Sequence, residues 1–544
     1  MTTSGNTSGD TAGDTPINIT ATHTITFADP KSLDHLPSPF LLGPLDHFQP
    51  TAIPTDLVYI YEKPVHVKTE DFIPISRLRE AISNLLNYYP HLTGRLAVDP
   101  SNGVRSITKL GMGASLLEAS CDQPLKPSPG QDIEMGKLPG TGEALIAPWN
   151  PSFDDETGIQ RGPLLLIQHT QFKCGSVAIG YRISHAVCAA EGCIHLYQDL
   201  CEIYRKLSRG DEIGVLDLPP HIIPFGADRI ITASPDAEGL DPPVGYLVSS
   251  QPGDALGDDA DKHMKSTVVT SHIAQDDDAE QSIAGTYLHF SPEELARLKA
   301  SATSPDDDGS WISTFEALVA YLWQRTHRAR VHIASTTSDE AQQRLRTGHH
   351  PRGVPLPGTD CLPTPSLWTN VNFALPSRLD LAGQKTGMGK SHYFPNAHLP
   401  VFFTLPNAED DDWSRWAGLL EDGIDLGDAP LWQVARLVHQ VVRDPGTSST
   451  QYALGVIYWM CDLADKRLAK VDFNLFADWC FVNTDWSKWE LYGVRTALDV
   501  EAALAGPPFT KVSRLDGFTT FIKAREGIDV RFTLNEAAMR VWER

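Results

Sequence analysis

The residue of this sequence best suited to proton transfer is His185, which lies in the segment 180–192, GYRISHAVCAAEG. An imidazole accepts and returns a proton near neutral pH, so a histidine fixed beside a cavity can act as a general base. Cys188 lies three positions later and has the chemistry of a nucleophile. Because free cysteines are commonly small buried residues, we interpret Cys188 as part of the core.

A change of hydrophobic period places His185 at a junction between elements. Apolar residues alternate with smaller or polar ones over 177–183, which indicates a half-buried strand. From 191 to about 207 they recur at spacings of three and four, which indicates a helix that ends before Gly210. The histidine therefore lies where a strand passes into a helix, and there its ring can be held rigidly and still face a cavity.

Other segments carry equally clear signals. An apolar stripe over 75–89, ended by Pro90, predicts a helix, and 17–27, 164–170 and 176–184 read as strands. Capping boxes at 291–294 and 313–316 predict two further helix starts. The helices near 77–89 and 314–330 occupy similar places in the two halves of the chain, which suggests two halves of similar architecture with a ligand cleft between them.

Five segments are similar to motifs of one family. They are YPHLTGRL at 89–96, the hairpin 168–175, NFALPSRL at 372–379, YFPNA at 393–397 and IDVRF at 528–532, together with His185 itself. On these residues the chain resembles the BAHD acyl-CoA-dependent acyltransferases, and more narrowly their fungal, trichothecene acetyltransferase-like branch. The resemblance implies an α/β fold of two similar domains, with mixed β-sheets flanked by helices as in chloramphenicol acetyltransferase. It also implies an active-site tunnel at their interface.

The resemblance assigns roles to particular residues. His185 is expected to be the catalytic base, and the side chains expected to line the substrate and CoA channel are Asn372, Arg378, Tyr393, Asn396 and Trp486. No cofactor is expected to be bound, and acyl-CoA, most simply acetyl-CoA, is expected as co-substrate. The partner is expected to be a small natural product.

The sequence departs from two family motifs. The histidine motif His-x-x-x-Asp has Ala189 in place of aspartate, and the Asp-Phe-Gly-Trp-Gly segment is missing after Leu491-Tyr492. In the family the aspartate pairs with an arginine, for which Arg378 is the candidate, so we expect Arg378 to have another partner. Glu191 is not expected to substitute, because two residues along a helix turn the side chain by about 200°.

Length and composition predict the domain organisation. The chain has 544 residues, of which 41% are hydrophobic, and two large domains are the natural expectation. We predict a disordered tail at 1–16, an N-terminal acyltransferase-like domain at 17–226 and a C-terminal one at 284–544. The segment 227–283 is rich in Asp, Gly, Pro and Ser and is predicted to be an acidic linker or crossover loop.

Charge and cysteine content exclude several classes of partner. With 69 acidic and 45 basic residues the net charge is −24, so nucleic acid and anionic membranes are not expected partners. No signal peptide or membrane-length apolar run is recognisable, and the eight scattered cysteines form no Cys-x-x-Cys pair, which favours a cytoplasmic protein. No metal site is expected, since His195 and His349-His350 lack ligand spacing. We expect a monomer.

Three functions remain open at the level of the sequence. The leading interpretation is an acyl-CoA-dependent O-acyltransferase, most simply an acetyltransferase, that acts on a natural-product hydroxyl with His185 as base. The second is a CoA-independent reaction on the same fold, in which the histidine drives a cyclisation, isomerisation or elimination. The third is a catalytically silent binding protein, because a fold does not fix its function.

Overall fold

The computed structural model describes residues 16–126, 130–154, 156–230, 240–253, 283–306, 311–336, 365–375, 377–381, 391–404, 426–475 and 479–544. Most of the predicted tail at 1–16 and of the predicted linker at 227–283 lies outside these ranges, as does His349-His350.

The strands of the described residues are numbered in chain order. They are β1 (Ile17–Ile25), β2 (Phe40–Leu41), β3 (Pro54–Tyr61), β4 (Arg95–Val98), β5 (Arg105–Thr108), β6 (Ala114–Cys121), β7 (Leu165–Phe172), β8 (Val177–Ser184), β9 (Pro220–His221), β10 (Tyr246–Val248), β11 (Ile283–Phe290), β12 (Ser366–Asn372), β13 (His392–Tyr393), β14 (His398–Thr404), β15 (Ala469–Val471), β16 (Cys480–Trp486), β17 (Leu504–Gly506), β18 (Phe518–Lys523) and β19 (Ile528–Asn535).

The α-helices of the described residues lie mainly after strands of the two large sheets. They are α1 (Ile75–Tyr88), α2 (Ala190–Arg209), α3 (Pro292–Ser301), α4 (Thr314–Thr336), α5 (Leu431–Arg443), α6 (Pro445–Ser448), α7 (Thr450–Asp462) and α8 (Glu536–Trp542).

The first large sheet belongs to the N-terminal half. Its strand order is β1-β6-β7-β8-β3-β17, and β6 and β7 run parallel while the other neighbours are antiparallel. Helices α1 and α2 pack against each other and bury their apolar faces in the core of this half. The faces match the periodicity in the sequence, because Leu78, Ile82 and Leu85 of α1 are fully or almost fully buried.

The second large sheet belongs to the C-terminal half. Its order is β11-β19-β18-β16-β12-β14, and the central pairs β18-β16 and β16-β12 are parallel. Helix α4 packs against α5 and α8, and the core of this half contains the buried indole rings of Trp323, Trp459 and Trp542. Two mixed sheets flanked by helices confirm the predicted fold class.

One strand crosses from the second half into the first sheet. The β17 strand follows β16 in the chain, yet it pairs antiparallel with β3, with Gly506 opposite Val58 and Leu504 opposite Ile60. The two halves are therefore joined by main-chain hydrogen bonds as well as by side-chain packing. The β10 strand, inside the predicted linker, similarly pairs with β15.

The predicted element boundaries agree closely with the structure. Helix α2 begins at Ala190 and ends at Arg209, where Gly210 takes a left-handed conformation with φ 69° and its N–H bonds to the Leu207 carbonyl. Both predicted capping boxes form, and at the start of α4 the Ser313 N–H donates to Glu316 Oε2 over 2.7 Å. No helix in the described part of the chain is both long and apolar enough to cross a membrane.

Candidate active site

His185 is held in the turn between β8 and α2. Strand β8 pairs with β3 so that Ser184 lies opposite Pro54, and the His185 N–H donates to the Ile53 carbonyl over 3.2 Å. The chain then turns through a hydrogen bond from the Val187 N–H to the Ser184 carbonyl. The backbone of the histidine is thus fixed by the sheet, as the change of period in the sequence predicts.

The ring of His185 borders a cavity of about 570 Å³ between the two halves. The side chain is only partly buried, although its Nδ1 atom is enclosed by protein. The first half contributes residues from the β3 region and the start of α2, and the second half contributes residues of β12, β16 and β19. A cavity of this size at the interface of two halves is typical of a small-molecule site.

Burial and hydrogen bonds shift the pKa of the His185 imidazole in opposite directions. Burial lowers its pKa, while hydrogen bonds with its own backbone and with the Asn396 side chain partly oppose this effect. A second histidine, His398, also borders the cavity, and its ring centroid lies 5.7 Å from that of His185. Burial lowers the pKa of His398 to about 3. At neutral pH both rings are therefore uncharged.

A buried carboxyl group supports the backbone of His185 through Asn396. Asn396 Nδ2 donates to the His185 carbonyl over 2.9 Å and to Asp46 Oδ1 over 2.8 Å, and the Asn396 N–H donates to the same oxygen over 3.0 Å. The Gly43 N–H donates to Asp46 Oδ2 over 2.8 Å. Burial raises the pKa of Asp46 to about 7 in spite of these donors. Asp46 was missed in the sequence, because the Gly43-Pro44 pair before it signals only a helix start.

Glu191 faces the same cavity as Ala189, which contradicts the expected 200° separation. Ala189 is the residue before the helix, with extended backbone angles of φ −82° and ψ 178°, so the helical count of 100° per residue starts only after it. The Glu191 carboxylate accepts a hydrogen bond from Asn372 Nδ2 over 2.7 Å. Burial raises the pKa of Glu191, while hydrogen bonds from Asn372 and Trp489 lower it.

Arg378 makes contacts other than with a motif aspartate. This was expected, because position 189 is alanine. Its Nη1 atom donates to the Ser448 carbonyl, and the guanidinium carbon lies 5.0 Å from the centroid of the Phe373 ring. Burial lowers the pKa of Arg378, and the nearby charge of Arg443 lowers it further. Both guanidinium groups border the cavity.

The remaining candidate residues divide into two groups. Asn372, Arg378 and Trp486 border the cavity with His185. Asn396 and Tyr393 are not part of the cavity lining; Asn396 reaches the site through the His185 backbone, and the Tyr393 hydroxyl accepts from the Phe225 N–H over 2.7 Å. Tyr393 lies in β13, which pairs with β9 in a short parallel sheet.

Cys188 belongs to the hydrophobic core of the first half. Cys188 is fully buried, and burial holds the pKa of its thiol well above the ordinary value, so it is no nucleophile at neutral pH. Within the described ranges, no three or more His, Cys, Asp or Glu side chains are grouped to hold a metal ion.

A buried ion pair forms part of the cavity wall beside His185. Arg182 Nε and Nη2 donate to the two oxygens of Asp56 over 2.6 and 2.9 Å, and Arg182 Nη1 donates to the Ala147 carbonyl over 2.7 Å. The two residues lie opposite each other on β8 and β3 and are 5% and 9% exposed. Asp56 borders the cavity, so this pair fixes the wall three residues before the histidine.

Replacing Ala189 with aspartate is expected to stabilise the protein. Ala189 occupies the N-cap position of α2 without any side-chain cap, and an aspartate there can accept from the first free N–H groups of the helix. We expect a gain of about 0.5–2 kcal/mol in the free energy of unfolding, measured by urea titration.

Ala189→Asn serves as the matched control for that substitution. Asparagine caps a helix about as well but has no charge, so an equal gain in both variants would identify capping as the cause. A gain only with aspartate would instead indicate an ion pair with Arg378. A loss of stability in both variants would contradict the prediction.

The chain is similar to known proteins over much of its length. The sequence profile of the Transferase family matches residues 15–343, well over half of the chain. The 13-hydroxylupanine O-tigloyltransferase of Lupinus albus is 32% identical over 173 residues, which are 30% of this chain and 34% of that protein. Putrescine hydroxycinnamoyltransferase 3 of Oryza sativa subsp. japonica is 26% identical over 314 residues, 57% of this chain and 61% of that protein.

A solved structure extends the likeness to the whole fold. The TRI101 protein of F. sporotrichioides, crystallised with coenzyme A and T-2, superposes with a TM-score of 0.60 at 15% identity, and the match covers 93% of this chain and 96% of that one. The sequence matches themselves span less than two thirds of the two plant relatives. The chain belongs to the Transferase family, the BAHD acyltransferases.

Proposed function

We propose that this protein transfers an acyl group, most simply acetyl, from acyl-CoA to a hydroxyl of a small natural product, with His185 as general base. The observation that carries this proposal is the partly exposed, neutral imidazole of His185 at a cavity of about 570 Å³ between the two halves. The proposal is also supported by relatives whose names describe acyl transfer and by a structural neighbour solved with coenzyme A.

In the proposed reaction His185 accepts one proton from the acceptor and later donates it to the leaving group. His185 accepts the proton of the acceptor hydroxyl while the hydroxyl oxygen bonds to the thioester carbonyl carbon. The tetrahedral intermediate then collapses, the carbon–sulfur bond breaks, and the imidazolium returns its proton to the departing thiolate. The products are the ester and free CoA, and His185 is neutral again.

The missing aspartate of the motif does not stop this chemistry. Position 189 lies at the N-cap of α2, and the backbone of His185 is held instead by Asn396 and Asp46. The aspartate would therefore stabilise the scaffold rather than carry a proton. Arg378 supplies a cation at the cavity, which suits the phosphate groups of CoA, whereas Arg443 beside it is paired with the Glu316 carboxylate over 3.0 Å.

The test is release of free thiol from acetyl-CoA. The protein is incubated with acetyl-CoA and a panel of natural-product alcohols, and thiol is measured with a colorimetric thiol reagent. Acceptor-dependent release that is lost in His185→Ala is the expected result. Absence of acetyl-CoA binding by calorimetry would overturn the proposal. Product formation without any thioester, also lost in His185→Ala, would point to the CoA-independent reaction.

The pH profile of kcat is expected to keep its plateau below pH 6.5. Only the neutral imidazole can accept a proton, and the lowered pKa of His185 means that protonation begins at a lower pH than the ordinary value of about 6.5. The profile is measured from pH 4.5 to 8.5 with saturating acetyl-CoA.

An acidic limb centred at or above pH 7 that persists in Asp46→Asn would contradict this assignment. Asp46, whose pKa is raised to about 7, also titrates in that range. A limb near pH 7 that disappears in Asp46→Asn would belong to this carboxyl group, whereas a limb that persists would belong to the base.

A further inference from the structure

Arg531 is a buried cation that borders the cavity. It lies on β19 opposite Tyr287 and Thr520 of the neighbouring strands, and its side chain is only 1% exposed. The family motifs assign no individual role to this residue. A guanidinium group taken out of water is costly unless an anion or several acceptors compensate its charge.

The protein compensates this guanidinium only with neutral groups. Arg531 Nε donates to the Pro508 carbonyl over 3.2 Å, and Nη2 donates to the carbonyl and hydroxyl of Ser513 over 3.2 and 2.5 Å. The guanidinium carbon lies 4.8 and 5.7 Å from the ring centroids of Phe509 and Phe518. Among the described residues Nη1 has no hydrogen-bond partner, and none of their carboxylates forms an ion pair with this arginine.

Nearby charges leave this part of the cavity positive. Asp56 is close enough to raise the pKa of Arg531, but both of its oxygens are already taken by Arg182. Arg514 lowers that pKa, so a further cation lies near. The other carboxyl group of this cluster is Glu143; burial raises its pKa, while a hydrogen bond from the Lys511 N–H and the charges of Arg182 and Arg514 oppose that effect. Three guanidinium groups thus lie near two carboxyl groups, of which Asp56 is fully paired with Arg182.

Arg531 borders the same cavity as the proposed base. The Asp56–Arg182 pair joins β3 to β8 three residues before His185, and Asp56, Arg531 and His185 all belong to the cavity lining. A ligand held by Arg531 would therefore occupy the cavity that the imidazole borders. The missing partner of the guanidinium is an anion, and planar carboxylates suit its forked donors best.

We propose that Arg531, with Ser513 beside it, binds a carboxylate group of one of the two substrates. The carboxylate belongs either to the acyl chain of the donor, as in a dicarboxylic acyl-CoA, or to the acceptor. This inference deepens the proposed function, on which it rests, by naming the chemical class of a substrate. It also explains why a cation without an ionic partner is retained in the wall of the cavity.

The test compares matched ligands with and without the carboxylate, with binding measured by calorimetry. The donor arm compares succinyl-CoA with butyryl-CoA, which has the same chain length. The acceptor arm compares 4-hydroxybenzoate with its methyl ester, both of which keep a free hydroxyl. In one arm we expect the carboxylate ligand to bind about 10- to 100-fold more tightly, because a hydrogen bond to a charged partner contributes this much. The arm that shows the preference identifies the substrate.

Arg531→Met is expected to abolish the preference and to leave the affinity for the neutral ligand within about twofold. Arg525→Met is the matched control, since Arg525 is an exposed arginine just before β19 that does not border the cavity. If Arg531→Met does not fold, Arg531→Lys keeps the charge without the forked donors and is expected to retain only part of the preference. Circular dichroism of each variant establishes folding.

Equal affinity of the wild-type protein for both members of each pair would overturn the inference without reference to any variant. An undiminished preference in folded Arg531→Met would also overturn it. Failure of the proposed function has a different signature, namely no acetyl-CoA binding and no thiol release. Binding of 4-hydroxybenzoate that depends on Arg531 would then support the carboxylate site even though acyl transfer had been excluded.

Discussion

Replacement of His185 with alanine is expected to lower kcat for acyl transfer by about 10²–10⁴-fold, the usual contribution of a general base. The imidazole borders the cavity, and its backbone is fixed by Ile53 and Asn396 on either side. Removal of the ring leaves these backbone hydrogen bonds in place, so we expect the fold and the affinity for acetyl-CoA to change little. The rate is measured by thiol release, affinity by calorimetry and folding by thermal unfolding.

His398 provides the comparison for this prediction. It is the other histidine that borders the cavity, at 5.7 Å between ring centroids, and burial holds its pKa at about 3. A group with so low a pKa is a poor proton acceptor, so His398→Gln is expected to lower kcat by less than tenfold. A larger loss in His398→Gln than in His185→Ala would mean that His398, and not His185, is the base. Unchanged kinetics in His185→Ala would exclude His185 as the base.

Asp56→Ala is expected to reduce the free energy of unfolding by about 3–5 kcal/mol, the cost of leaving a buried charge without its partner. Arg182 is 5% exposed and directs two of its nitrogens to the Asp56 carboxylate. Its remaining hydrogen bond within the described residues is to the Ala147 carbonyl, which cannot balance a full charge. Urea titration of wild type and variant at the same pH measures the difference.

The double variant Asp56→Leu, Arg182→Met separates charge from packing. Because it removes both ions and keeps apolar volume, it is expected to recover most of the stability lost in Asp56→Ala. If the double variant is as unstable as the single one, the loss comes from packing between β3 and β8 rather than from the uncompensated guanidinium. A loss below about 1 kcal/mol in Asp56→Ala would show that water reaches the pair, as at a surface ion pair.

Much of the fold could be predicted because the hydrophobic period and the capping residues of a segment agree with the element that it forms in the folded protein. The boundaries of α2 follow from the change of period after β8 and from Gly210, and both capping boxes form at Ser291 and Ser313. Pairing between distant segments could not be predicted in this way. Strand β10 lies in a polar stretch that reads as a linker, but Tyr246 is buried against Phe48 and Trp459.

Residues of the candidate site could be predicted only where a reactive side chain lies within a recognisable sequence motif. His185 and Arg378 border the cavity and could be located from motifs, whereas Asp46 lies outside the motif segments. Arg531 lies in the motif segment 528–532, but the motif assigns it no role and only the folded chain shows that it borders the cavity. Glu191 was placed wrongly because a helical angle was counted from Ala189, a residue that is not yet helical. Sequence periodicity therefore describes the inside of an element better than its first residue.

The pairing of β17 with β3 of the first half affects how the protein folds during its synthesis. Since Leu504–Gly506 supplies the edge next to β3, the first sheet stays incomplete during translation until residue 506 has left the ribosome. Until then β3 exposes an open edge of apolar residues, which is prone to aggregate with other nascent chains. Recombinant production of the first half alone would keep that edge open permanently, and we expect such a fragment to aggregate more readily than the whole chain.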